Sequence, residues 1–79
     1  MDIYDYEKNQ KRLKLFDIIK ELYKYRGHTQ EKIAQILNIP VEIIRMTTQK
    51  MGFSHGIRNE QYSPVVFAEE LSFLDDYLK

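Results

Sequence analysis

The stretch TQEKIAQILNIPVEIIRMTTQKMGF, residues 29–53, has the apolar spacing of two short helices joined by a tight turn. Ile33, Ala34 and Leu37 fall on one face of a 3.6-residue repeat, and Ala34 is small where a second helix has to come close. Ile39 is placed to plug the turn. Asn38 stands where a turn often needs a left-handed backbone, which Asn tolerates better than most residues. Pro40 brings a fixed φ to the first position of the next helix, where its missing N–H costs nothing. Ile44, Thr48 and Met51, at i, i+4 and i+7, are expected to face the first of the two helices. Glu42, Arg45, Met46, Gln49 and Lys50 are then left on the outer side, a face able to hydrogen-bond to base edges and phosphates. The spacing is that of a helix-turn-helix, although two amphipathic helices in any small bundle share its apolar pattern.

Seventy-nine residues are expected to form a single domain, 1–79, with a small core that supplies only a few kcal/mol without a partner. The chain has no Cys, hence no disulfide framework and no thiolate metal site or nucleophile, which fits a reducing cytoplasm. No apolar run approaches the ~18 residues of a membrane span, and the acidic start MDIYDYE is unlike a secretory signal. A soluble, cytoplasmic protein is expected.

The formal net charge is zero, but the charges are segregated. Residues 8–58 hold eleven Lys and Arg against four acids, a balance of +7, whereas residues 1–7 carry −3 and residues 59–79 carry −4. A basic centre between acidic ends points to a polyanionic partner more than the sum does. For any single lysine on the first helix, keeping that helix soluble is the simpler role.

The fold expected is all-α, or mainly α with a short wing hairpin: a four-helix helix-turn-helix domain. Its parts are an N-terminal helix within residues 1–26, the helix-turn-helix at 29–51, a wing or loop at 52–62 and a C-terminal helix at 63–79. The first helix, about residues 4–25, carries Leu13, Leu15, Phe16, Ile18, Ile19, Leu22, Tyr23 and Tyr25 on an arc wider than one neighbour needs, so it is either central or shared with another chain. Gly27 ends it, and Thr29 caps the next helix. Ser63-Pro64 starts the last helix, whose core stripe is Phe67, Leu71, Leu74 and Leu78, with Val66, Phe73 and Tyr77 beside it. Asp75 and Asp76 sit at the negative end of that helix's dipole, an unfavourable place that a basic surface would explain.

From residue 32 to residue 74 the order of features resembles the MerR-type winged helix-turn-helix family, which includes small excisionase-like proteins. Ile44-Arg45 stands where that family has Leu-Arg, Gly52-Phe53 where Gly-Leu opens the wing, and Arg58 where the wing arginine falls. Tyr62-Ser63 and Glu70-Leu71 match the Tyr-Ser and acidic-Leu pairs that close the wing and start the next helix. The chain departs from the family in three ways. Its segment between Arg58 and Tyr62 is about four residues shorter, Met46-Thr47 replaces paired tyrosines, and a long helix precedes Gly27. The resemblance implies a bare DNA-binding module without an effector domain.

No catalytic set is visible, and no cofactor or metal site is expected. His28 and His55 lack acidic or thiol neighbours at ligand spacing. The function expected is sequence-specific binding of double-stranded DNA by a small phage- or plasmid-type regulator or recombination accessory factor. Arg45, Gln49 and Lys50 would enter the major groove. Thr29, Gln30 and Lys32 would hold the backbone, and Arg58 and His55 would reach out from the wing. A protein-interaction module that grips a partner through its acidic C-terminal helix is the alternative. Because one short recognition helix reads few base pairs, a homodimer is expected, with Phe16, Tyr23, Phe73 and Tyr77 as candidate interface residues.

Overall fold

A computed structural model describes the backbone of residues 3–56 and 64–78 and the side chains of residues 6–51 and 67–78. The chain is mainly helical, with no strand among the described residues. Helix α1 (Ile3–Lys20) runs on into a π-helical turn (Glu21–Tyr25), followed by α2 (Gln30–Leu37), α3 (Val41–Gly56), α4 (Pro64–Glu69) and a 3-10 helix (Ser72–Tyr77). None of the helices is long and apolar enough to cross a membrane, among the described residues.

The wide apolar arc of α1 has its reason in its neighbours, since α1 packs on α3, α4 and the 3-10 helix. The core brings Phe16 and Ile19 of α1 against Ile33, Ile39, Ile44, Met51, Leu71 and Leu74. Phe16 meets Phe67 edge to face, with ring centroids 5.0 Å apart and planes at 82°, the arrangement that suits the ring quadrupoles. Phe16 is only 4% exposed, so this candidate dimer residue is instead a core residue of its own chain. Phe73 and Tyr77 are half-buried against the same core, whereas Tyr23 is exposed.

Helix α1 ends as its sequence requires. Gly27 is left-handed at φ 72°, and the flanking N–H groups of Arg26 and His28 reach back to the carbonyls of Glu21 and Leu22, each at 3.0 Å. A Cβ at Gly27 would meet nothing within 4 Å, so the whole penalty of Gly27→Ala is the backbone conformation. We expect a loss of about 1–2 kcal/mol, read by urea denaturation. A variant as stable as the parent would show that the turn adapts to a negative φ.

Thr29 caps α2, its Oγ1 accepting the Lys32 N–H at 3.1 Å. Asn38 closes α2 in the left-handed region (φ 55°, ψ 47°), and the Ala34 carbonyl accepts the N–H of Ile39 at 3.0 Å. Ile39 is buried in the core, as a residue plugging the connection must be. Pro40 stands just ahead of α3 and its carbonyl takes the N–H groups of Ile43 and Ile44.

The buried face of α3 is Ile44, Thr47 and Met51, each at 1% exposure or less, so Thr47 rather than Thr48 completes the stripe. The Thr47 hydroxyl donates to the Ile43 carbonyl at 2.8 Å, which lets it enter the core without an unsatisfied polar group. Helix α3 also continues through Gly52 to Gly56, where the wing was expected to open. Without a left-handed residue or a proline to stop it, one glycine only weakens a helix by about 1 kcal/mol. The remainder of the expected wing, residues 57–62, lies outside the described residues.

Instead of one last helix there are two short pieces. Helix α4 tightens at Glu70 and Leu71, whose N–H groups go three residues back to Phe67 and Ala68, at 3.1 and 3.0 Å. In the 3-10 turn that follows, side chains three apart eclipse. Leu71 and Leu74 are thereby fully buried in line, with Tyr77 half-buried after them.

Candidate nucleic-acid interface

The outer side of α3 is exposed at Glu42, Arg45, Met46 and Gln49, four of the five residues expected there. Each is directed outward because Ile44, Thr47 and Met51 occupy the opposite side of the same helix. Met46, 42% exposed, is an apolar side chain amid polar ones on this face.

The start of α2 is tied to the middle of α3. Gln30 Nε2 donates to Thr48 Oγ1 at 2.9 Å, and the Thr48 hydroxyl in turn donates to the Arg45 carbonyl at 2.8 Å. Gln30 was expected to hold a phosphate, yet its amide is engaged in joining two helices. Thr29 and Lys32 are exposed at the same end of α2.

The charged groups differ in how freely they stand. Arg45 Nη1 lies 3.8 Å from Glu42 Oε1 with both side chains at least half exposed, and such a pair is worth about 0–1 kcal/mol. A stronger acceptor can therefore displace it. Lys50 is half-buried and its ammonium is 3.8 Å from Glu70 Oε1, at the end of α4, so it borders the face rather than standing within it. The backbone of His55 is in α3 and not in a wing, with its side chain outside the described residues; Arg58 lies outside them as well.

The acidic end of the chain folds back onto part of the basic centre. The Asp75 carboxylate accepts from Arg12 Nε and Nη2, each at 2.6 Å, while Lys8 Nζ stands 4.0 Å away. Arg12 Nη1 also donates to Oδ1 of the buried Asn9 at 2.8 Å. The hydrogen bonds from Arg12 hold the Asp75 carboxyl below its ordinary value; partial burial opposes them, and the positive charges of Arg12 and Lys8 add to the lowering. Here is the basic surface that the placement of Asp75 called for, within the same chain. No three His, Asp or Glu side chains gather as a metal-binding group among the described residues.

No family model matches the chain, and neither a curated protein nor a solved structure matches it.

Proposed function

We propose that α2, the connection through Asn38, Ile39 and Pro40, and α3 act as a helix-turn-helix that binds double-stranded DNA sequence-specifically, with α3 as the recognition helix. The role is that of a small transcriptional regulator or recombination accessory factor. The observation that carries this reading is the exposed row Glu42, Arg45, Met46 and Gln49 on a helix whose far side is fully buried and whose middle is bonded to the start of α2. Such a helix presents its side chains at fixed positions, as reading base edges demands. Arg45 suits guanine or phosphate and Gln49 suits adenine. Thr29 and Lys32 are available to the sugar-phosphate backbone. The likeness to MerR-type proteins supports the reading through the α2–α3 segment, and the helical course of residues 52–56 removes the wing opening from that likeness.

The acidic partners of Arg45 and Lys50 favour a second reading, a protein-interaction module on the same scaffold. A salt titration with random-sequence duplex separates the two. A DNA binder loses affinity steeply as salt rises, whereas a protein-only module has little affinity even at low salt. Arg45→Ala and Gln49→Ala are each expected to weaken DNA binding by about 1–3 kcal/mol while the helical circular dichroism signal stays unchanged. Equal affinity in the parent and both variants removes α3 as the reading element.

A further inference from the structure

Helix α1 retains one face that its own fold leaves uncovered. Glu7, Lys11, Lys14 and Ile18, spaced four, three and four residues apart, run in a line along it, and all four are exposed. That alternation of fours and threes is the spacing along which two helices meet in a seam. Next to the line, Leu15 and Ile18 form with Leu37, Ile39 and Tyr77 a groove of about 250 Å³, with Lys11 and Lys14 on its rim. An apolar groove with a cationic rim fits an apolar helical segment that carries acids. Residues 1–7 of this chain, MDIYDYE, have that chemistry: three acids, no cation, and Ile3, Tyr4 and Tyr6 among them.

We propose that this face joins two copies of the chain, with the α1 helices antiparallel about a two-fold axis near residue 10, so that the start of each α1 comes to the lysine-rimmed groove of the other copy. The charges select the direction. A parallel, in-register pair sets Glu7 against Glu7 and each lysine against itself, whereas the antiparallel pair brings Glu7 to Lys14 twice by symmetry and leaves only Lys11 beside its own mate near the axis. Exposed ion pairs hold little by themselves, so burial of the groove drives the association and the charges fix its register. The proposal does not depend on DNA binding. It replaces the interface expected around Phe16, a residue committed to the core.

Sedimentation velocity of the full chain at micromolar concentration and low salt tests it. A dimer is expected, and Glu7→Lys and Lys14→Glu should each raise its dissociation constant at least tenfold. The two substitutions combined in one chain should restore dimerisation. The parent has no Cys, so Lys11→Cys, close to the axis, should give a disulfide-linked dimer on mild oxidation, while Glu31→Cys on α2 should not. Thermal melts of each variant, monitored by circular dichroism, establish that they are folded. A parent that is monomeric at every concentration, or a double charge swap that fails to restore the dimer, overturns the proposal. So does a monomer whose groove binds an added acidic amphipathic peptide, since its occupant is then another protein.

Discussion

Thr47→Asp is expected to leave the chain unfolded at neutral pH, whereas Thr48→Asp should fold and lose about 1 kcal/mol or less. The two positions are adjacent, have the same residue type and lie on the same helix, yet Thr47 is fully buried between Ile44 and Met51 while Thr48 is half-buried at the edge, bonded to Gln30. A carboxylate at 47 has no cation among the residues of that stripe, and burying a charge without a partner costs several kcal/mol. A small single core has about 5 kcal/mol or less to lose. At position 48 the new carboxylate still accepts the Gln30 amide. Urea denaturation followed by circular dichroism decides. A cooperative transition for Thr47→Asp near that of the parent would mean that α3 is rotated by about one residue, with Thr48 inward, and the outward row at Arg45 and Gln49 would rotate with it.

That choice between neighbouring threonines shows how far the sequence carries. Spacings of i+3 and i+4 both stay on a helix face, and what separates Thr47 from Thr48 is which hydroxyl meets a carbonyl and which meets Gln30. Features written in local chemistry were legible: the Gly27 terminus, the Thr29 cap, the left-handed Asn38, the buried Ile39 and the burial of Leu71 and Leu74. The terminus, the cap and the left-handed residue depend on neighbours within about one turn, and the buried positions show in the apolar spacing of their own segments. The π-helical turn and the break of the last helix into α4 and a 3-10 turn were not, because the apolar spacing of both segments fits an ordinary α-helix equally well. The course of α3 past Gly52 was hidden for a related reason, since glycine marks an end only where the backbone turns left-handed. At the candidate interface, Glu42, Arg45, Met46 and Gln49 followed from helix periodicity alone. The engagement of Gln30 with Thr48 and of Lys50 with Glu70 did not, as those partners come from other elements. The same holds for Asp75, which one continuous last helix would have put at an unfavourable end; it stands in the first turn of the 3-10 helix instead and is held by Arg12, 63 residues away in the chain.

Arg12→Ala is expected to cost about 1.5–3 kcal/mol at neutral pH, with the deficit shrinking in acid to the part owed to Asn9. Its side chain is only 11% exposed, and its guanidinium makes three hydrogen bonds, two to Asp75 and one to Asn9. Truncation removes them together and leaves the buried Asn9 carbonyl without that donor. The pH dependence follows from Asp75. Because its carboxyl titrates lower in the folded protein than in the unfolded chain, where it has its ordinary value of 3.8, the folded state favours the ionised form. The resulting stabilisation is full above about pH 4 and is lost as the pH falls through the folded-state value. The gap between the parent and Arg12→Ala should therefore be constant from pH 7 to about pH 5 and narrow below pH 4, leaving the smaller part owed to Asn9. Lys8→Ala should show the same trend at smaller amplitude, since its ammonium stands 4.0 Å from the carboxylate and its side chain is 33% exposed. Denaturation midpoints measured across this range provide the check. A gap between parent and Arg12→Ala that persists unchanged to pH 2 would mean that Arg12 stabilises by packing its methylenes rather than by holding an ionised Asp75, and the acidic end of the chain would then have no electrostatic hold on its basic centre at this point.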